Sequence, residues 1–174
     1  MDGLVWRVTL DDEGRVLLYD SIHPCGCYHH FFPGPRLRLR PEAREFPEPP
    51  LVLQDAPRLR GRERPVLRVA SGTRYLQRIY AAEGGAPGSG ESPARVEYVQ
   101  HPYASLYAVD GPKGPMSLFD AQGFVPGSAR GERFYLWPMG VPSPGAMRDR
   151  GRQATAFLGR RHFDDADLLD RLFE

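Results

Sequence analysis

Glycine and proline recur so often along this chain that long helices have little room to form. The 174 residues include 19 glycines and 18 prolines, about a fifth of the total. Proline removes a backbone donor and fixes φ, and glycine loses the most conformational entropy on folding, so both residues interrupt helices. This composition predicts many turns and short strands.

Alternation of apolar and polar residues predicts where those strands lie. The first two, residues 4–10 and 15–19, flank the turn Asp11-Asp12-Glu13-Gly14 and form a hairpin. Residues 36–40 alternate as an edge strand would. The further strand candidates are residues 51–53, 66–70, 73–79, 95–99, 106–109, 116–119, 132–137 and 154–158.

One short helix is predicted at the end of the chain. Residues 166–173 carry leucines on one side, and Asp164 or Asp165 can cap the helix N-terminus. We therefore expect a mainly β fold, an antiparallel sheet, barrel or sandwich of short strands with one short C-terminal helix.

The length fits a single β-rich domain over residues 1–174. Residues 83–94 have the Gly, Ser and Pro content of a flexible loop. The first twenty residues lack the pattern of a secretory signal, and no apolar run is long enough to span a bilayer. We expect a soluble, cytoplasmic protein with no membrane partner.

The charges nearly cancel, with 23 basic and 22 acidic residues and a net charge of +1. This balance predicts no overall attraction to nucleic acid. Every basic residue except Lys113 is an arginine, which we attribute to the codon usage of a GC-rich genome. The alternating residues Arg58, Arg60, Arg62 and Arg64 are interpreted as a solvated face.

The feature most suggestive of chemistry is a short segment rich in cysteine and histidine. Five of the seven Cys and His residues of the chain fall within residues 23–30, namely His23, Cys25, Cys27, His29 and His30. Thiolate and imidazole groups bind zinc and copper, and Pro24 and Gly26 allow a bend that brings these groups together. The segment predicts a site for a copper or zinc ion, completed if needed by His101 or His162.

Two alternatives remain open at this stage. Cys25 and Cys27 are close enough to form a strained, oxidising disulfide, which is typical of a thiol–disulfide redox protein. The chain can instead be a non-catalytic interaction subunit, whose partner is an unknown small molecule or protein. No nucleophile elbow, P-loop, dinucleotide-binding or HExxH motif is present, so the sequence leaves open whether the protein is an enzyme.

Overall fold

The computed structural model describes residues 4–23, 28–46, 49–83, 97–128, 131, 133–136, 150 and 167–174. These residues are mainly strands, as expected. The strands are β1 (Val5–Leu10), β2 (Val16–Ile22), β3 (His29–Pro33), β4 (Leu51–Val52), β5 (Glu63–Val69), β6 (Leu76–Glu83), β7 (Val109–Gly111) and β8 (Gly114–Met116). Two 3₁₀ helices cover Pro41–Glu45 and Tyr103–Tyr107, and two short helices, α1 and α2, cover Arg133–Leu136 and Leu168–Leu172.

The first four strands form one sheet in the order β1-β2-β3-β4. Strands β1, β2 and β3 are antiparallel neighbours, whereas β4 runs parallel to β3. The predicted hairpin is confirmed, and its turn is fixed by Asp11, whose carboxylate accepts hydrogen bonds from the backbone N–H groups of Glu13 and Arg15. Gly14 adopts a φ of 77° at the end of this turn. Glycine reaches this conformation without steric cost.

The two faces of this sheet are buried by different parts of the chain. Because side chains alternate along a strand, Leu18 and Phe31 lie on one face, and Tyr19 and Phe32 lie on the other. The first face packs against Ala43, Leu172 and Phe173, and the second against Leu76 and Ile79 of β6. The result is a layered arrangement with the sheet in the middle.

The β5–β6 hairpin covers the second face, and its strands overlap the strand candidates predicted at 66–70 and 73–79. Its register places Leu67 opposite Ile79 and Arg68 opposite Arg78, with an irregularity between Arg68 and Val69. Gln54 supports the free edge of β6, because its side-chain amide donates to the backbone oxygen of Ile79 over 2.9 Å and accepts from the Ile79 N–H over 3.4 Å.

The C-terminal helix is confirmed as α2, and the segment after it is tied to residues 38–40. Arg38 and Glu174 exchange two backbone hydrogen bonds of 2.8 and 2.9 Å, and the N–H of Arg40 donates to the oxygen of Leu172. Residues 36–40 were expected to form an edge strand, but only an isolated bridge from Leu39 to Phe173 is present among the described residues.

Several further strand predictions are wrong in detail. Residues 103–107 form a 3₁₀ helix that begins after Pro102, so the strand expected at 106–109 is displaced to β7. Residues 133–136 are helical. A few alternating residues do not distinguish a strand from one helical turn. Residues 97–99 are not in a strand. The expected loop after Glu83, at 84–94, and the candidate strand at 154–158 lie outside the described residues.

Candidate functional site

A buried polar network joins the first three strands on the face that carries Leu18 and Phe31. Asp20 lies opposite Arg7 of β1, and its side chain is fully buried. Its Oδ2 atom accepts hydrogen bonds from Arg7 Nε over 2.9 Å and from Arg7 Nη2 over 2.5 Å. His29 Nε2 lies 2.5 Å from the same oxygen. Three strands are therefore linked through one carboxylate oxygen.

The charges in this network follow from burial. Burial alone would favour protonated Asp20, but the hydrogen bond from His29 and the Arg7 guanidinium outweigh it and lower the pKa of Asp20. Burial lowers the pKa of His29, although Asp20 opposes this effect. Near neutral pH the network therefore consists of an ionised Arg7–Asp20 pair and a neutral His29, whose Nε2–H donates to Asp20.

Two polar atoms of the network are buried without a hydrogen-bond partner among the described residues, Asp20 Oδ1 and His29 Nδ1. With Nε2 carrying the proton, His29 Nδ1 presents a lone pair, so both atoms are acceptors. An unsatisfied buried acceptor costs about 1–3 kcal/mol. The network therefore stabilises the sheet through Oδ2 while leaving two acceptors unfilled.

The other two histidines of the predicted metal site have partners elsewhere. His30 is next to His29 along β3, so its side chain points to the opposite face of the sheet. There its Nδ1 lies 3.2 Å from the backbone oxygen of Leu76. Burial lowers the pKa of His30. His23 Nε2 donates to the backbone oxygen of Thr73 over 2.9 Å, and its ring contacts Tyr75.

The predicted function of a copper or zinc protein is contradicted by this arrangement. Among the described residues, no group of three or more His, Cys, Asp or Glu side chains is placed to hold a metal ion. The physical reason is that His29 and His30 alternate across the sheet, so one is paired with Asp20 and the other with β6. Cys25, Cys27 and His162 lie outside the described residues, and His101 is exposed.

A strongly basic surface lies on the β5–β6 hairpin. Residues 58–80 contain seven arginines and one acidic residue, Glu63, although the whole chain has a net charge of only +1. Within the described part of the chain, six of these arginines form no ion pair, and all six are exposed: Arg58, Arg60, Arg62, Arg64, Arg68 and Arg78.

The strand register gathers three of them on the outer face of the hairpin. Arg64 and Arg68 share this face of β5, and Arg78 lies directly opposite Arg68 on β6. Val66 and Tyr80 form the cross-strand pair between them, and the Tyr80 side chain is 37% exposed. Glu63 and Glu83 alternate to the other face. We call Arg64, Arg68, Arg78, Val66 and Tyr80 the arginine face.

Aromatic side chains cluster beside the connection between β5 and β6. The Tyr75 ring centroid lies 4.8 Å from that of His23 and 4.9 Å from that of Tyr28. Tyr28 is 52% exposed, and its φ is 56°. We call His23, Tyr28 and Tyr75 the aromatic cluster.

Comparison of the chain with protein-family models, with curated proteins and with solved structures found no match. In addition, no helix among the described residues is both long and apolar enough to cross a membrane.

Sequence reasoning missed several residues that these sites use. Asp20 falls at an apolar position of the alternation Leu18-Asp20-Ile22, and a charge at such a position indicates a buried partner. Arg68 and Arg78 were not grouped with the earlier arginines, because their proximity depends on the register of the hairpin. No sequence pattern marks Gln54, because its hydrogen bonds to Ile79 depend on where the edge of β6 lies in the fold.

Proposed function

We propose that this protein binds nucleic acid through the phosphate backbone, at the arginine face. The observation that carries the proposal is the pairing of Arg68 with Arg78 across the hairpin, with Arg64 on the same face. No carboxylate of the described residues forms an ion pair with any of the three. Like charges placed directly opposite each other destabilise a sheet. A bound anion would relieve that repulsion.

The chemistry of the side chains favours phosphate as the anion. The guanidinium group is planar and presents donors in a fork that matches phosphate oxygens, often with two parallel hydrogen bonds. The adjacent segment with Arg58, Arg60 and Arg62 extends the positive charge along the chain. A series of cations in a row fits a polymer of phosphates better than a single small anion.

The apolar centre of the face favours nucleic acid over other polyanions. Tyr80 and Val66 lie between the arginines, so a ligand that contacts the guanidinium groups also contacts an exposed aromatic ring. Aromatic side chains on a basic surface are typical of proteins that bind nucleic acid. The net charge of +1 had suggested no nucleic-acid partner, but net charge does not describe how charge is distributed over the surface.

The test is a binding titration of a labelled oligonucleotide with the full chain. We expect the double variant Arg68→Gln/Arg78→Gln to lower the affinity about tenfold or more and to reduce the slope of log K against log salt concentration by about 1.4 to 1.8. A matched control is Arg38→Gln/Arg44→Gln. It removes the same charge from positions in the segment that covers the opposite face of the main sheet.

The control variant separates a local site from a general effect of charge. Equal losses in the two double variants would contradict the proposal, and so would an absence of oligonucleotide binding by the native chain at about 50 mM salt. Binding to anionic vesicles or to an acidic peptide, but not to the oligonucleotide, would also overturn it. A loss of oligonucleotide affinity that is confined to the Arg68→Gln/Arg78→Gln variant supports the arginine face as the binding site.

A further inference from the structure

Resting on the proposed function, we infer that the aromatic cluster stacks on an unpaired base and makes the protein selective for single-stranded nucleic acid. Tyr75 of the cluster and the Arg68/Arg78 pair of the arginine face belong to the same end of the β5–β6 hairpin. Arg68 and Arg78 are the outer-face pair nearest the connection at residues 70–75, and Tyr75 is the last residue of that connection. A nucleic-acid strand that follows the arginine face toward this end of the hairpin would come close to Tyr75.

The cluster has the geometry of a stacking platform that is fixed in place. Tyr75 and Tyr28 meet edge to face at 67°, and His23 and Tyr28 at 90°. The rings therefore support one another in the preferred aromatic geometry. The His23 ring is held by its hydrogen bond to Thr73. Half of the Tyr28 side chain stays exposed, which leaves aromatic surface for a ligand.

The backbone on both sides of the cluster is strained. Among the described residues, Tyr28 and Arg74 are the non-glycine residues with positive φ, at 56° and 62°. Such conformations are rare for residues with a Cβ, and they concentrate at ligand-binding sites. Tyr28 lies in the cluster, and Arg74 directly precedes Tyr75. Strain at two separate segments therefore coincides with the position of the exposed ring.

A base inside a duplex has both faces covered by its neighbours, so a ring on the protein cannot stack on it. Stacking on a tyrosine requires a base that is unpaired or at an end. The arginine face contacts phosphates that single strands and duplexes share, whereas the aromatic cluster discriminates between them. We therefore expect native protein to bind a single-stranded oligonucleotide more tightly than the duplex of the same sequence.

The experiment compares three probes on the full chain: a single-stranded oligonucleotide, its duplex, and an abasic strand of equal length. The Tyr28→Asn variant removes the ring, and asparagine adopts positive φ more readily than tyrosine, so the fold is retained. We expect about tenfold weaker binding to the single strand and unchanged binding to the duplex and the abasic strand. Tyr28→Phe keeps the ring and is expected to bind as the native chain does.

The control is Tyr107→Asn, which removes a tyrosine of similar exposure, 45%, whose ring contacts Tyr103 and Phe119. The inference would be overturned if Tyr107→Asn lost as much affinity for the single strand as Tyr28→Asn does. It would also be overturned if Tyr28→Asn lost affinity equally for all three probes. Native protein that binds the duplex as tightly as the single strand would overturn it as well. If the native protein binds the duplex and the single strand equally, the proposed function still stands provided that the Arg68→Gln/Arg78→Gln variant loses affinity for every probe.

Discussion

Asp20 and His29 lie on adjacent antiparallel strands, and a hydrogen bond of 2.5 Å joins His29 Nε2 to Asp20 Oδ2 inside the core. Both residues are at most 2% exposed. The carboxylate also binds Arg7, so one oxygen atom holds three strands in register. The contribution of this polar network to the stability of the protein can therefore be measured by substituting its residues.

Replacing the carboxylate should destabilise the protein. In Asp20→Asn the buried partner of Arg7 loses its charge and His29 loses its charged acceptor, so we expect the free energy of unfolding to fall by about 2–4 kcal/mol. Urea unfolding followed by circular dichroism measures this change. The control is Asp12→Asn, at an exposed position of the first turn. A surface substitution of this kind should change stability by only about 0.5 kcal/mol or less. A similar effect of both variants would show that the network contributes little.

Stability should fall as the solution becomes acidic. The pKa of His29 is lowered in the folded protein from its ordinary value of 6.5, so below that pH the unfolded chain takes up a proton that the folded chain does not. The unfolded state therefore binds more protons, and stability rises with pH in this window. Asp20, with its pKa lowered from 3.8, acts in the same direction at lower pH.

The pH dependence of His29 can be isolated with His29→Gln. His30 also has a lowered pKa and remains in the variant, so only the His29 contribution is removed. We expect the loss of stability between about pH 7 and about pH 5.5 to be smaller in the variant than in the native protein when urea midpoints are compared. Parallel pH profiles would contradict the assignment of a neutral, buried His29.

The Gln54 side chain should contribute to stability by satisfying the backbone of β6. Gln54→Ala leaves the N–H and C=O groups of Ile79 without this partner. Unsatisfied buried groups cost about 1–3 kcal/mol. Gln77→Ala, at an exposed position of the same strand, should have little effect. Thermal unfolding of the two variants checks this expectation, which fails if their midpoints are equally shifted.

Gly34 should not tolerate a side chain. A Cβ at this position would lie 2.7 Å from the backbone oxygen of Leu17, which already accepts a 2.7 Å hydrogen bond from the Gly34 N–H. Gly34→Ala must therefore displace the backbone, and we expect a loss of about 1–3 kcal/mol. At Gly72 a Cβ would meet nothing within 4 Å, so Gly72→Ala serves as the control. Equal stabilities of the two variants in urea would contradict the close approach of Gly34 and Leu17.

The β1–β2 hairpin, and parts of β5 and β6, were predictable from the sequence because their residues alternate and the turns between them carry glycine. Local pattern is sufficient there, since the partner strands are neighbours along the chain. Strand β3 was not predicted, because its residues His29–Pro33 are almost all buried and show no alternation. The same burial explains why His29 and His30 were interpreted as metal ligands when their partners are Asp20 and Leu76.

The metal-site prediction was wrong because it rested on the chemistry of the side chains and not on their positions in the sheet. A histidine next to cysteines in sequence has the composition of a metal site, but the pleat of a strand sends His29 and His30 to opposite faces. Whether a histidine meets a carboxylate or a metal depends on the strand beside it. That information lies in the register of β2 and β3, which no local motif encodes.

The packing of Leu172 and Phe173 against Leu18 and Phe31 has a consequence for synthesis of the protein. The main sheet is made from strands within residues 5–52, but one of its faces is covered in part by residues that the ribosome adds more than a hundred positions later. Nascent chains therefore carry part of this apolar face uncovered until residues 172 and 173 have been added, a state that favours aggregation and binding by chaperones. Contacts so distant in sequence also predict slow folding.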